Sequence, residues 1–235
     1  MDMTQKLYEN VLNIIRENPD IHDQFMLSLT YNTNRIEGST LTEPETAAIL
    51  FQNIVLPDKS LVEHLEAKNH QTALNYLFDY MASGSMIDED LILALHRILM
   101  NSIMPDAGHY RTHSVRIVGA DLPTANYVKI PLLMTELIDY INSDINDTVS
   151  HIAKVHSRFE QIHPFSDGNG RVGRLLIHAM ALRKNLPPAV VRQENKRFYH
   201  TYLNKAQQTQ NQDTSLLEDF ICDALSEGYR LLERL

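Results

Sequence analysis

At 235 residues with 43% hydrophobic side chains, the chain can bury a sizeable core as one large domain or a domain with an appendage. Thirty acidic against 21 basic residues give a net charge of −9, which argues against a broad nucleic-acid surface, because phosphate neutralisation needs clustered Lys and Arg; a single nucleotide needs only a few. One cysteine, Cys222, excludes an intrachain disulfide and argues against a zinc-thiolate site, no apolar run approaches the ~20 residues that span a bilayer, and MDMTQKLYENVL lacks signal-peptide features, so a soluble cytoplasmic protein is expected.

Apolar residues recur at helical spacing almost throughout, which predicts an all-α (mainly α) fold. Leu7, Val11, Ile14 and Ile15 mark the first helix. In TYNTNRIEGSTLTEPET, Glu37-Gly38 reads as a helix end with glycine at or near the C-cap. Thr42 with Glu45, Pro44 lying between them, and Ser60 with Glu63 are two capping-box patterns, each ahead of a periodic run. Further stripes comprise Leu74, Leu77, Phe78 and Met81, then Leu91, Leu95, Ile98 and Leu99. Breaks fall at Leu56-Pro57-Asp58, Gly84-Ser85, Pro105 to Gly108 and Leu186-Pro187-Pro188, none long enough for an interdomain linker.

HSVRIVGADLPTANYVKI departs from this pattern. Val115 and Ile117 alternate with polar residues, Gly119 to Asn126 supply a turn, and Tyr127, Val128 and Ile130 resume, a short β-hairpin signal. Residues 147–162 return to helix with Ile152, Val155, Phe159 and Ile162 inward, and RVGRLLIHAMALRKN is helical through Leu175, Leu176, Ala179 and Leu182. The last stripe, Leu217, Phe220, Ile221, Ala224 and Leu225, predicts Cys222 on its apolar face as a buried, inert thiol. His151 reads as a surface residue near a helix start, and His156 as a packed or hydrogen-bonded one.

Between two of these helices lies HPFSDGNGRVGR, residues 163–174. A helix start at Gly168, Asn169 and Gly170 offers unpaired backbone N–H groups and dipole charge to an anion, and glycine permits close approach. Arg171 and Arg174, three apart, project from one side of that helix and suit a polyphosphate. Asp167 is a hard oxygen ligand for Mg²⁺, and His163 a base able to take a proton near neutrality. The plainer alternative is a capped helix-connecting turn with surface arginines and a satisfied histidine.

The stretch resembles the signature H-x-F-x-[DE]-G-N-G-R-x-x-R of the Fic family, with every fixed position met. The resemblance extends through AKVHSRFEQI, GHYRTHSVRIVG and the downstream helices, covering about residues 60–210. It implies a Fic-type helical bundle divided as an N-terminal helical region (1–58), a catalytic core (59–210) and a C-terminal helix packed on it (211–235). The implied activity is transfer of AMP from ATP to a hydroxyl of a target protein, or of the enzyme itself. His163 would be the base, Asp167 the ligand of Mg²⁺ (or Mn²⁺), Gly168 to Gly170 with Arg171 the anion hole, and Arg174 the γ-phosphate clamp, with Phe165 an apolar anchor. Tyr199 and His200 fall where the family has aromatic residues near the base, though a core or surface tyrosine fits Tyr199 equally. The hairpin, about Val115 to Ile130, would be a flap beside the active site that docks the target.

Upstream, Thr33, Glu37 and Gly38 resemble the inhibitory motif [ST]-x-x-x-E-[GN] of Fic regulation, which implies a carboxylate that pairs with Arg174 and displaces the γ-phosphate. Alternatives on the same fold are removal of AMP by way of Glu37, transfer of another phosphate-containing group, and a catalytically silent nucleotide-binding module. A metallohydrolase built on His151, His156 and His163 is disfavoured, since a spacing of five turns the first two ~140° apart on a helix. The termini carry no DNA-binding signature.

Overall fold

The structure, a computed structural model, describes residues 10–116, 123–208 and 213–233. Among the described residues lie ten α-helices, α1 (Val11–Glu17), α2 (Pro19–Glu37), α3 (Glu43–Gln52), α4 (Leu61–Ala82), α5 (Glu89–Leu99), α6 (Ile130–Ile141), α7 (Thr148–Ile162), α8 (Asn169–Arg183), α9 (Lys196–Gln208) and α10 (Ser215–Leu232). Local signals set many of the boundaries. Both capping boxes form, Thr42 with Glu45 at α3 and Ser60 with Glu63 at α4. Gly38, at φ 111°, closes α2 in the left-handed region that glycine reaches at least cost. Leu7 of the predicted first helix lies outside the described residues.

Helices α7 and α8 pack side by side at the centre. Around them stand α2, α4 and α5, with α6, α9 and α10 against α7. One apolar core runs from Val11 to Leu232 and takes side chains from nearly every helix, including Phe25, Phe78, Phe159, Phe165 and Leu175. Leu41, Ile49, Leu50 and Ala67 form a second, smaller cluster that fixes α3 on α4.

Three sequence expectations are corrected. Tyr127–Lys129 form a 3₁₀ turn leading directly into α6 rather than a strand. The Asn126 side chain accepts from Val128 N at 3.0 Å and Pro131 sits at the start of α6, both helix-start signals that outweigh the alternation. Of the expected hairpin, the described residues retain one antiparallel bridge, Arg116 to Pro123; Ile117 and Gly119 lie outside them. Cys222 is exposed, because it falls just off the arc that carries Ile221, Ala224 and Leu225 into the core. His151 is buried rather than on the surface, since α6 covers that side of α7; its Nε2 donates to the Tyr140 carbonyl at 2.8 Å and its ring meets the Tyr140 ring edge-on. His156 is packed, as the sequence suggested, and shares a 2.7 Å hydrogen bond with the Tyr199 hydroxyl.

Candidate active site

Helix α7 ends at His163, whose left-handed backbone (φ 51°) turns the chain out of the helix. The imidazole Nδ1 faces the Glu160 carbonyl at 3.3 Å and the Glu160 carboxyl at 3.9 Å, which leaves Nε2 as the outward nitrogen. Burial lowers the pKa of His163, so the ring is neutral and able to accept a proton near pH 7.

The loop that follows is braced internally. Asn169 clamps Phe165 with two 2.9 Å hydrogen bonds, accepting from its N–H and donating to its carbonyl. Its side chain is therefore a brace, and only its backbone faces the helix start. Phe165 is fully buried and stacked on His96, ring centroids 3.7 Å apart. His96 also donates to the Asp167 carbonyl at 3.1 Å and accepts from Gly108 N at 2.9 Å.

Gly168 takes φ 79° at the N-cap of α8, and no side chain caps that helix start. Its first N–H groups stand ready for an anion. Asp167 has 59% of its side chain exposed beside this opening. One outward carboxylate next to an anion cradle fits Mg²⁺, which is commonly held by one or two carboxylates with substrate phosphates and water.

Arg174 and Arg171 are both nearly sealed, 3% exposed, and each is met by a carboxylate from outside the loop. Arg174 Nη2 donates to Glu37 Oε1 at 2.5 Å and its Nε to Thr33 Oγ1 at 2.7 Å, so both α2 residues of the T-x-x-x-E pattern reach the same guanidinium. Burial opposes the Glu37 charge, but Arg174 outweighs it and holds the carboxyl below its usual range. Glu37 Oε1 also lies only 2.6 Å from where a Cβ on Gly170 would stand, directly over the helix start. Arg171 Nη1 donates to Glu66 Oε1 of α4 at 2.8 Å, and its Nη2 lies 3.8 Å from Asp167 Oδ2.

Tyr199, expected beside a nucleotide base, is 1% exposed. Its ring packs against His156 and Phe220, with the Arg174 guanidinium 5.9 Å from its centroid, so it supports Arg174 from within the core. The exposed neighbour His200 is left at the rim.

Sequence reasoning missed His96, Arg111, Glu66 and Glu160. Arg111, 2% exposed, donates to the His163 carbonyl, to the His113 carbonyl and to the Ala125 carbonyl, each at 2.7 Å, and its N–H to Pro164 O at 2.9 Å. It thereby ties the loop to His113 and Ala125. Glu160 is buried, its Oε1 has no partner, and burial lifts its pKa to about 8. The loop partner of Arg111, His163, stands 52 residues away and the Arg171 partner of Glu66 stands 105 away, beyond any local pattern; only the position of Glu160, one turn before His163, could have marked it.

Residues 86–181 match the Fic/DOC family. Protein adenylyltransferase Fic of Nematostella vectensis is 34% identical over 181 residues, which is 75% of this chain and 42% of that one. The chain thus spans less than half the length of such curated relatives. Among solved structures, Fic-1 (aa134 - 508) from C. elegans superposes with a TM-score of 0.79 at 26% identity, over 94% of this chain and 72% of that one. A Fic domain containing signaling protein from Bacteroides thetaiotaomicron shares the fold at TM-score 0.81 and 24% identity, over 95% and 96% of the two chains. Motif, fold and relatives coincide, and the chain belongs to the Fic/DOC family.

Proposed function

We propose that the protein is a protein adenylyltransferase that transfers AMP from ATP to a hydroxyl of a target protein or of itself, and that Glu37 restrains it. The observation that carries this reading is the Glu37 carboxylate lying over Gly170 and paired with Arg174, an anion already seated at an uncapped helix start. ATP is the co-substrate, the relatives being named adenylyltransferases, and the cytoplasm is the proposed place of work.

In the reaction the target hydroxyl loses its proton to His163 Nε2 while its oxygen attacks the α-phosphorus; the bond from that phosphorus to the bridging oxygen breaks and pyrophosphate leaves. Nδ1, directed to the Glu160 carbonyl, fixes the ring so that Nε2 faces the substrate. Backbone N–H groups of the Gly168 to Gly170 turn receive the α- and β-phosphates. Arg171, charged but sealed beneath the loop, adds field rather than contact. Arg174 binds the γ-phosphate once Glu37 withdraws, and His200 lies at the rim toward the base. Asp167 would hold Mg²⁺, which neutralises charge on the phosphates when bound. The flap, about Val115 to Ile130, is the proposed docking edge for the target, and Arg111 holds His113 and Ala125 on either side of its turn.

The test is incorporation of labelled AMP from ATP and Mg²⁺. Glu37→Gly is expected to raise it on the order of 10²-fold, the effect of about 1 Å of misplacement at a reacting phosphate, and His163→Ala to abolish it in either background. Equal incorporation by wild type and Glu37→Gly would remove the restraint; no incorporation by Glu37→Gly would remove the activity.

A further inference from the structure

Arg171 is clamped between two carboxylates of different character. Glu66 Oε1 accepts from Nη1 at 2.8 Å, and Asp167 Oδ2 lies 3.8 Å from Nη2, too far for a hydrogen bond. Glu66 is 18% exposed and Asp167 59%. Glu66 is carried on α4, a 22-residue helix fixed by its capping box and packed on α2, α5 and α8. It lies outside the stretch that matches the family, as does Glu37. Unlike Glu37, which stands at the last residue of its helix beside a glycine, Glu66 is more than a turn inside α4, so its backbone is held in place by the helix.

A second restraint on the phosphate site is therefore the weaker explanation of Glu66. Arg171 is 3% exposed and would present little to a ligand even if freed. What Glu66 does set is the charge that Asp167 sees. With Glu66 in place the guanidinium charge is paired through Nη1, although its buried Nε has no hydrogen-bond partner, and Asp167 stays outward, its Oδ1 accepting from Gly168 N at 2.6 Å. Without it, the remaining carboxylate within 4 Å of the buried guanidinium among the described residues is Asp167, and leaving a buried charge unpaired is costly enough to draw it in.

We propose that Glu66 is a positioning residue for the metal that accompanies ATP: through Arg171 it keeps the Asp167 carboxylate turned outward. The proposal rests on the adenylyltransferase reading, in which Asp167 holds that metal. Outer partners of metal ligands typically change metal affinity or activity by 10–100-fold when removed.

The experiment measures ATP binding by calorimetry in the Glu37→Gly background, once with Mg²⁺ and once with EDTA. The reference protein is expected to bind ATP more tightly with Mg²⁺. Glu66→Gln is expected to lose about 10-fold or more of that gain while keeping its affinity in EDTA, which also shows that it is folded. Asp167→Asn should lose the same gain, and the double variant no more than either, since the two act as one unit. Glu66→Asp, which keeps the charge, should recover most of the gain, and Mn²⁺ electron paramagnetic resonance with bound ATP should follow the same order. A full Mg²⁺ gain in Glu66→Gln, or an equal loss with and without metal, overturns the positioning role alone. No ATP binding by the reference protein in either buffer overturns it together with the adenylyltransferase reading.

Discussion

Among the described residues, Arg174 has Glu37 as its carboxylate partner and is otherwise ringed by groups held neutral. Burial pushes His156 and His178 down to about 3, raises Glu160 to about 8 and raises the Tyr199 hydroxyl further still. Glu37→Gly thus strands a buried cation. We expect it to cost about 2–4 kcal/mol, short of the full figure for a sealed pair because a third of the Glu37 side chain is exposed. ATP should then raise the melting temperature of Glu37→Gly by more than that of wild type, because only in the variant does the incoming anion supply a missing partner. An equal thermal shift in both would contradict this. Gly173 offers a second test. A Cβ there would stand 2.7 Å from Glu160 Oε1 and 3.0 Å from the His156 ring, so Gly173→Ala is expected to cost about 1–3 kcal/mol, read as a lower denaturation midpoint. That His163, Asp167 and the GNG turn lie together at one helix junction was legible because one short stretch holds them all. The inward turn of Arg171 was not, since its direction depends on Glu66, 105 residues away.

At the scale of elements, the site is a junction of α7 and α8 held by straps from elsewhere. Arg111 is the most connected of these, and Arg111→Lys cannot reproduce a guanidinium fork that serves four carbonyls in different directions. We expect the change to lower kcat for AMP transfer and weaken dependence on the docked target, with ATP affinity little changed. A variant whose ATP affinity falls as much as its kcat would place Arg111 in nucleotide binding instead. Helix existence was legible nearly everywhere, down to both capping boxes. Facing was less so: His151 sits where a helix start would ordinarily be wet, and only the position of α6 buries it. Cys222 shows the reverse, lying beside core residues in sequence but about 100° further round the helix. The run from Tyr127 alternates like a strand, yet Asn126 and Pro131 commit it to a helix.

Across the whole molecule, buried titratable groups set opposing slopes of stability with pH. His156 and His178 are held to about 3, His96 to about 4 and His70 well below 6.5, chiefly by burial. Below pH 6.5 the unfolded chain binds protons that these imidazoles refuse, so stability falls as pH falls. Glu160 acts the other way: between 4.5 and about 8 the folded state keeps a proton that the unfolded state has released, so stability falls as pH rises. Among the described residues several histidines outweigh the raised carboxyls Glu160 and Glu66 below 6.5, and above it Glu160 sets the slope. Stability should therefore peak near pH 6.5, each unmatched proton being worth about 1.4 kcal/mol per pH unit. Glu160→Gln should flatten the alkaline side. A wild-type melting temperature that keeps climbing from pH 6.5 to 8 would refute this.

The seat of Glu37 over Gly170 has a further consequence in the proposed scheme. A competitor carried on the same chain is presented to the cradle at a fixed local concentration, set by the packing of α2 on α8 and not by the amount of protein in solution. Dilution cannot wash it away. The resting output of each molecule is then a property of the fold, adjustable by the level of ATP or by whatever pulls on the end of α2, and the same in a crowded cell as in a dilute assay.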